Sequence, residues 1–366
     1  MASGISSTGI PKLALDGLIQ DLYAIEDSHL QLDGDWWDQN AIDDLSIGNK
    51  LFFASGDIAV TDDEMTTMLV FNKELIEENQ LEDPYQLVRD DKWTMDKMYE
   101  MCKAVAKDGG DGVMNIAGEE DTWGLIGAAF DCYRLILGGN APMVSKNEND
   151  LPVISVTNAY NVDVFLDVYE IMTDKSRVAW WEQYYRWDDY ENGRKLTDQF
   201  YAGRVLFMVS DVCSMNDERM LNSQIQYGVL PLPKYNEEQT HYASTINPYK
   251  FTCVSLPRDT FVDTDKTTFL LEAMAYYNKS EVTPLYYETT LKSKRLLDES
   301  SEEMLDIIFS NRIIDLANIF NWDDCIQYYN QMIMGAGNAV VSFMESRESR
   351  MQEGIDQTVE LFRDLK

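Results

Sequence analysis

The 366-residue sequence predicts an α/β fold, on the basis of three observations. Short apolar runs, too brief for helices, alternate with longer segments whose apolar residues recur at helical spacing. Glycine-rich turns separate the two kinds of segment, as they do between a helix and a following strand. The length is sufficient for two domains, each with its own hydrophobic core.

The clearest example of this alternation runs from Thr66 to Leu125. Thr66–Phe71 is an apolar run of the length of a buried strand, and a short helix follows it. A second helix is predicted after Trp93, with Thr94 as its N-cap. Its apolar face comprises Met95, Met98, Cys102 and Val105. A glycine-rich turn then leads to a strand at Thr122–Leu125, which completes a strand–helix–helix–strand unit.

The rest of the chain continues the same pattern. Apolar runs predict strands at Lys50–Ala54, Asp57–Val60, Ile154–Val156, Val205–Val209, Ile225–Leu230 and Phe251–Ser255. Helical spacing predicts helices at Ala128–Leu137, Asn158–Met172, Asp265–Asn278, Pro284–Leu291, Ser300–Phe309 and through Ile355, Val359 and Phe362.

The charge of the chain excludes two classes of partner. There are 64 acidic and 30 basic residues, which gives a formal net charge of −34. A field of this sign repels phosphate backbones and anionic lipids, so we expect no nucleic acid and no membrane surface as partner. The densest basic cluster, at Lys292, Lys294 and Arg295, lies among carboxylates. The five cysteines lack zinc or CxxC spacing, and we expect buried free thiols.

The residues that enzymes use do not form a motif in this sequence. The two histidines, His29 and His241, lie in different segments without a neighbouring nucleophile motif. Gly335–Gly337 follows no strand, so it is not a dinucleotide fingerprint. Pairs of carboxylates are unavoidable among 64 acidic residues and therefore do not indicate a glycosidase. By elimination, we expect a binding protein without a cofactor.

Two aromatic segments allow a structural and a functional interpretation. Trp36–Trp37 either stacks on a ligand or pins a loop, and we favour the loop because adjacent side chains diverge on any regular element. Trp180–Trp187 is the most aromatic segment of the chain. It forms either a wall of a sugar-binding cleft or a packed loop, and the sequence supports both.

An ordered set of segments resembles the extracellular solute-binding proteins of ABC importers, in particular the sugar-type members of maltose-binding-protein architecture. The set comprises Trp36–Asp38, Phe71–Leu75, Lys92–Thr94, Gly110–Gly112, Asp121–Leu125, Phe200–Arg204, Gly228–Tyr235, Tyr286–Glu288 and Asp298–Ile308. The resemblance covers nearly the whole chain. Its strength lies in the order of the segments, since each one alone occurs by chance.

The resemblance implies a two-lobe α/β fold of the periplasmic-binding-protein type, with a central cleft. Lobe one would comprise residues 1–112 with 244–300, and lobe two residues 113–243 with 301–366. Hinges would lie near residues 112, 243 and 300. Family members carry a signal peptide, a lipid-anchoring cysteine and a strand–helix–strand–helix stretch before the point that corresponds to Met1. We therefore expect lobe one to be incomplete at its N-terminus.

The resemblance also implies a function. The protein would be a monomeric, non-enzymatic solute-binding protein that captures an extracellular mono- or oligosaccharide and delivers it to ABC permease subunits. The full-length protein would be extracellular and lipid-anchored at the cell surface. A glycan-active enzyme and a sensor ectodomain that does not transport remain as alternatives.

Family correspondence places ligand-binding residues at four positions around the cleft. They are Asp62 and Asp63, Phe130 and Asp131, Asp211, and Trp322. Carboxylates accept hydrogen bonds from sugar hydroxyls, and aromatic rings cover the apolar face of a pyranose. Asp211 directly follows a buried strand, and we expect its removal to weaken binding without lowering stability. The structural alternatives are that Asp62 and Asp63 cap a turn and that Trp322 belongs to the core.

One turn resembles a calcium loop. Related sequences often have an EF-hand-like D-x-N-x-D-G before the second strand, and the corresponding positions here are Lys107, Gly109 and Asp111. A cation and a glycine replace two oxygen ligands. Because calcium takes six or more oxygens, we expect no metal at this turn.

Overall fold

The computed structural model describes residues 2–3, 9–59, 61–116, 120–186, 189–259, 261, 263–287 and 298–365. Four predicted features lie at least partly outside these ranges. They are Val60 at the end of a predicted strand, Trp187, the end of the helix predicted from Pro284, which includes Glu288, and the basic cluster at residues 292–295. Within the described part of the chain, no helix is long and apolar enough to span a bilayer.

The strands are short, as expected from the short apolar runs. They occupy Ala2–Ser3 (β1), Thr67–Asn72 (β2), Trp123–Gly127 (β3), Val144–Lys146 (β4), Pro152–Ile154 (β5), Val178–Trp180 (β6), Val205–Asp211 (β7), Tyr227–Leu230 (β8), Ser244–Thr245 (β9), Thr252–Cys253 (β10) and Arg312–Ile313 (β11). The strand predicted at Lys50–Ala54 is wrong, and so is the described part, residues 57–59, of the strand predicted at Asp57–Val60. Lys50 and Ala54 form isolated bridges, and Asp57 lies in a turn.

The helices are more numerous. They occupy Ile10–Leu15 (α1), Gln39–Leu45 (α2), Thr61–Glu64 (α3), Lys73–Glu78 (α4), Pro84–Arg89 (α5), Met95–Val105 (α6), Asp131–Gly138 (α7), Ala159–Thr173 (α8), Tyr190–Tyr201 (α9), Glu218–Asn222 (α10), Thr264–Tyr277 (α11), Thr283–Tyr286 (α12), Glu299–Ser310 (α13), Leu316–Phe320 (α14), Tyr328–Gln331 (α15) and Val340–Asp364 (α16). The predicted N-cap of α6 is confirmed, since the Thr94 side chain accepts from the backbone N–H of Lys97. The predicted start of α13 is two residues late, because its N-cap is Asp298.

A five-stranded sheet in the order β6-β3-β7-β2-β8 forms the largest layer. Strands β6, β3 and β7 are parallel, and β2 runs antiparallel to both of its neighbours, β7 and β8. All six residues of β2 are buried, which agrees with its nearly continuous apolar sequence. Helix α6 packs closely on β3: a Cβ atom added at Gly124 would lie 2.5 Å from the Cβ of Cys102.

The pairing of β2 differs from the predicted division into lobes. That division places Thr67–Asn72 in lobe one, whereas the strand pairs with β7 and β8, which were assigned to lobe two. The start of α6 is also bonded to a segment assigned to lobe two, since the Met95 N–H donates to the Lys234 carbonyl at 2.8 Å. The lobe to which a strand belongs depends on its hydrogen-bond partners, which local apolar pattern does not identify.

Three segments of the chain connect this sheet to the remaining residues and lie side by side. They are called passages below. Thr66 forms an antiparallel bridge with Ile246, and β9 pairs in parallel with β11. The predicted hinge near residue 243 coincides with one of these passages. The hinges predicted near residues 112 and 300 do not coincide with the passages at Thr66 and Arg312.

The part of the chain before β2 and after β9 has little regular strand pairing. Strand β1 pairs with β10 over two residues, and isolated bridges join Ala54 to Val254 and Ile19 to Pro257. The five cysteines are unpaired as expected; four are buried and Cys213 is partly exposed.

Helix α11 carries most of its large apolar residues on the exposed face. It buries Thr268, Glu272 and Ala275. Its exposed large apolar residues are Phe269, Leu270, Met274, Tyr276 and Tyr277, with exposed fractions from 47 to 62%. The Glu272 carboxylate is held by the Trp37 indole N–H at 3.1 Å and by the Gln31 N–H at 3.1 Å. An amphipathic surface helix ordinarily has the reverse arrangement.

This arrangement gives a first prediction. The double variant L270Q/M274Q should change the free energy of unfolding by no more than about 0.5 kcal/mol, because both side chains already face solvent. It should also reduce binding of the dye ANS. The control is A275Q on the buried face of the same helix, which should cost about 1–3 kcal/mol through overpacking. Thermal unfolding of the unmodified protein and the two variants measures these changes. Equal losses of stability in the two variants would contradict the exposure of this face.

Candidate functional site

The six predicted ligand residues separate into three groups. Phe130, Asp131 and Asp211 line one pocket, and Asp62 and Asp63 line another. Trp322 lines neither of the two. The pocket that contains Phe130 is called the cleft pocket below, and the one that contains Asp62 is called the hinge pocket.

The cleft pocket lies at the carboxyl ends of the parallel strands β3 and β7 and has a volume of about 330 Å³. Gly127 ends β3, and Ser210 and Asp211 end β7. Asn247 and Tyr249, which follow the passage at Ile246, complete it. In open α/β sheets, ligands bind in the crevice outside the carboxyl ends of the strands.

A buried ion-pair triad forms one wall of the cleft pocket. Arg134 pairs with Asp131 at 3.1 Å and with Asp211 at 3.0 Å, and all three residues are at most 9% exposed. Asp131 and Arg134 lie three residues apart in α7 and therefore share one helix face. The Ala128 N–H donates to Asp131 at 2.6 Å, and the Asn247 amide donates to Asp211 at 2.7 Å. The carboxylate oxygens are thus largely occupied by protein donors.

Burial raises the pKa of Asp131 to about 6. The charge of Arg134 and the Ala128 N–H act in the opposite direction, while the carboxylates of Asp211 and Glu182 raise the pKa further. The Nε atom of Arg134 is buried and has no hydrogen-bond partner among the residues that the structure describes. A buried N–H without a partner is costly, so this atom is a candidate donor to a ligand oxygen.

Aromatic rings surround the triad. Phe130 and Tyr249 pack edge to face, with their ring centroids 6.1 Å apart, and Arg134 lies 5.7 Å from the Phe130 ring centroid. Trp181 lines the same pocket, whereas Trp180 is buried and donates to the Met172 carbonyl at 2.9 Å. The aromatic segment therefore contributes one residue to the pocket and one to the core.

The hinge pocket has a volume of about 470 Å³ and is built around Arg312. The guanidinium lies 2.8 Å from Asp63, 2.9 Å from Asp38 and 3.4 Å from Asp62. The Tyr287 hydroxyl donates to Asp63 at 2.6 Å. Burial raises the pKa of Asp62 well above its ordinary value, against the charge of Arg312.

These contacts give Asp62 and Asp63 a structural role. Their oxygens bind Arg312 and Tyr287, at the point where the chain passes from α3 into β2. Arg312 itself lies on β11, in a neighbouring passage. The hinge pocket is the larger of the two, and its Asp62 and Asp63 are committed to ion pairs, as Asp131 and Asp211 are in the cleft pocket. The cleft pocket is the better candidate for a ligand site because it lies at the carboxyl ends of parallel strands and is lined by Phe130, Trp181 and Tyr249.

The structure places Trp322 in the core. Its ring stacks on Phe320 with 5.1 Å between centroids and an interplanar angle of 6°, and its indole N–H donates to the Thr358 hydroxyl at 2.9 Å. Gly354 allows helix α16 to approach, since a Cβ atom there would lie 2.9 Å from the Trp322 ring. Neither face of the indole is open to a sugar, and we remove Trp322 from the candidate site.

The role expected for Asp211 also changes. The sequence-based expectation was that Asp211 could be removed without loss of stability. Its carboxylate is instead a buried counter-charge of Arg134. Removing one partner of a buried ion pair is strongly destabilising, so Asp211→Ala should lower stability as well as affect a ligand.

Three residues of the cleft pocket were missed from sequence: Arg134, Asn247 and Tyr249. Arg134 could have been found, because it lies one helical turn after Asp131. Asn247 and Tyr249 are about 115 residues further along the chain, and no local pattern connects them to α7. Trp37, by contrast, is buried and bonded to Glu272, which agrees with the interpretation that this tryptophan pair pins a loop.

At the calcium-like turn, the nearby carboxylates bind backbone N–H groups. Asp108 accepts from Gly110 and Gly112 at 3.1 and 2.9 Å, and Asp121 accepts from Gly109 and Asn115 at 2.8 and 2.7 Å. In the described ranges, no group of three or more acidic, histidine or cysteine side chains could hold a metal ion. The absence of a bound metal stays a prediction.

No protein-family model and no curated protein matches the sequence, but solved structures match its fold. The maltose/maltodextrin-binding domain MalE of Bdellovibrio bacteriovorus, bound to maltotriose, has 13% identity and a TM-score of 0.57, covering 95% of this chain and 82% of that one. An ABC substrate-binding protein of Listeria monocytogenes in complex with cycloalternan has 14% identity and a TM-score of 0.52, with coverages of 97 and 82%.

A third similar structure is UgpB from Mycobacterium tuberculosis in complex with glycerophosphocholine, with 11% identity and a TM-score of 0.57, covering 95% of this chain and 82% of that one. At these identities the comparisons establish the fold. The predicted fold class, a two-lobe α/β fold of the substrate-binding-protein type, is confirmed.

Proposed function

We propose that this protein binds an extracellular carbohydrate, a mono- or oligosaccharide, in the cleft pocket and delivers it to the permease of an ABC importer. The observation that carries the proposal is the composition of that pocket. Phe130, Trp181 and Tyr249 offer aromatic surface beside the polar triad at the carboxyl ends of β3 and β7. Apolar surface with a few placed polar groups is typical of small-molecule sites.

The fold supports the same proposal. Structures of this fold include proteins in complex with maltotriose and with cycloalternan. In the protein described here, hinge closure would bring the two lobes together around the ligand. We further propose a monomer, without enzymatic activity, that is held at the cell surface by a lipid anchor.

A glycan-active enzyme is the second candidate, and the triad disfavours it. Glycoside hydrolysis needs one carboxyl group as acid and another as base or nucleophile, on either side of the scissile bond. Asp131 and Asp211 are instead joined through the same guanidinium, and backbone or amide donors hold both of them. Release of product from an oligosaccharide would support this alternative.

A sensor that does not transport is the remaining alternative. It would be favoured if a strain without the gene retained uptake of the bound sugar.

The second prediction tests the proposed site. Calorimetry with maltotriose, raffinose and cycloalternan should identify a saccharide that binds. Phe130→Ala and Tyr249→Ala should each weaken its affinity at least tenfold, about 1.4 kcal/mol, through loss of aromatic contact. Phe269→Ala, which removes an exposed ring on α11, is the matched control and should bind as the unmodified protein does.

Two results would count against the proposal in different ways. Absence of binding by any saccharide would overturn the carbohydrate function. Binding that both pocket variants retain in full would mean that the ligand site lies outside the cleft pocket.

A further inference from the structure

The charge balance of the cleft pocket bears on which carbohydrates it accepts. Arg134 is a buried guanidinium in its wall, and a guanidinium is the group that proteins most often use to bind carboxylates and phosphates. An arginine in a ligand pocket would therefore ordinarily indicate an anionic ligand. The similar structure in complex with glycerophosphocholine, which contains a phosphodiester, makes the question specific.

In this pocket the guanidinium is already neutralised. Asp131 lies 3.1 Å from one of its terminal nitrogens and Asp211 lies 3.0 Å from the other. The three charged side chains that line the pocket therefore sum to one negative charge when both carboxylates are ionised. Glu182 adds another carboxylate beside it, since it accepts from the Ala129 N–H at 2.8 Å.

Asp131 and Asp211 compete with any incoming anion for the guanidinium of Arg134. Both terminal nitrogens of Arg134 face protein carboxylates, and the nitrogen without a partner is Nε. A single N–H next to two carboxylates suits one hydroxyl or ether oxygen of an uncharged ligand. An anionic group at the same place would meet two like charges in a site shielded from water, where such repulsion is strong.

From this we infer that the cleft pocket selects uncharged sugars and rejects uronic acids, sugar phosphates and phosphodiesters, and that Asp131 and Asp211 determine this selectivity by occupying Arg134. The inference rests on the proposed function and specifies its substrate class. Specificity here depends on repulsion of the wrong ligand as much as on contacts with the right one. The net charge of −34 acts in the same direction at longer range. Lys250, next to Tyr249, is exposed and does not line the pocket.

The test compares ligands that differ at one carbon, where a carboxylate replaces a hydroxymethyl group. The probes are D-glucose with D-glucuronate, and D-galactose with D-galacturonate, measured by calorimetry at pH 7.5. The unmodified protein should bind the neutral member of the better-bound pair at least tenfold more tightly than the uronate. Asp211→Asn, which keeps the shape but removes one counter-charge, should reduce that ratio at least fivefold. The additional affinity of this variant for the uronate should fall with added salt.

Two further variants keep the test interpretable. Asp131→Asn makes the same change on the other side of the guanidinium and serves if Asp211→Asn unfolds. Asp198→Asn removes an exposed carboxylate outside the pocket, paired with Arg219 at 3.0 Å, and should leave the ratio unchanged.

The outcomes separate the inference from the function on which it rests. Equal or tighter binding of the uronate by the unmodified protein would overturn the inference while carbohydrate binding stands. An unchanged ratio in both asparagine variants would overturn the role of the two carboxylates. Failure of every neutral and acidic saccharide, the oligosaccharides named above included, would overturn the proposed function itself.

Discussion

Replacing Arg312 with alanine is expected to lower the free energy of unfolding by about 3–5 kcal/mol. The guanidinium is the shared counter-charge of Asp38, Asp62 and Asp63, and its removal would leave three carboxylates close together in a site that is nearly closed to solvent. Arg312→Lys should lose an intermediate amount, because one ammonium group cannot reach three carboxylates with the geometry of a guanidinium. Chemical denaturation at pH 8 measures the loss.

The matched control is Arg363→Ala, which removes an arginine that is 68% exposed and should cost less than about 1 kcal/mol. The loss in Arg312→Ala should also be smaller at pH 5 than at pH 8. Burial already raises the pKa of Asp62. Carboxylates that have lost Arg312 can therefore take up protons at the lower pH, which reduces their repulsion. Similar losses in both alanine variants would show that the cluster does not stabilise the passages between the lobes.

The melting temperature of the unmodified protein should rise by at least about 5 °C between pH 8 and pH 5. Burial raises the pKa of Asp131 and of Asp315 to about 6 and that of Asp44 to about 7. A carboxyl group whose pKa is raised by folding contributes stability that is fully present below its unfolded pKa of about 4. That contribution is lost as the pH rises through 6 and 7, so acidification should stabilise the protein.

The trend should reverse below about pH 4. Asp298 has its pKa lowered to about 2, because hydrogen bonds from Lys73 and from the Ser301 N–H outweigh the effect of burial. A lowered carboxyl pKa contributes stability that is lost as the pH falls through it. We therefore expect maximum stability between about pH 4 and pH 5.5, measured by scanning calorimetry at constant ionic strength.

Asp44→Asn tests the origin of the rise. The Asp44 carboxylate accepts from the Ile314 N–H at 2.7 Å, and an asparagine can keep that bond without a charge. The rise in melting temperature from pH 8 to pH 5 should be smaller in this variant and unchanged in the exposed control Asp33→Asn. A melting temperature that falls on acidification over this range would contradict the assignment.

Local sequence was sufficient for many elements of the fold. Thr94 as N-cap and the apolar spacing from Met95 to Val105 predicted α6, and the structure has that helix with that cap. Caps and helical periodicity depend on residues within a few positions of each other, so they can be recognised from sequence. The buried strand Thr67–Asn72 was likewise recognisable from a local feature, its short apolar run. Within the run Lys50–Ala54, residues 51–54 are buried but form no ladder, because burial alone does not supply a pairing partner.

The candidate site was predicted in part. The resemblance placed Phe130, Asp131 and Asp211 around the cleft, and they line one pocket. Asp62 and Asp63 were expected to bind the ligand or to cap a turn, but Arg312, about 250 residues further along the chain, pairs with both. Trp322 has a side chain of the type that stacks on sugars, but its contacts with Phe320 and Thr358 place it in the core.

The sequence by itself determined the class of fold, the acidic character from which we expect no anionic partner, and the helices whose caps are local. The tertiary structure decided which carboxylates are available to a ligand. Whether an aspartate binds a sugar or an arginine depends on groups that approach from distant segments, as Arg134 does at Asp211 and Arg312 at Asp63. Such an approach is fixed by strand order and helix packing, because these bring together charges that are far apart in the chain.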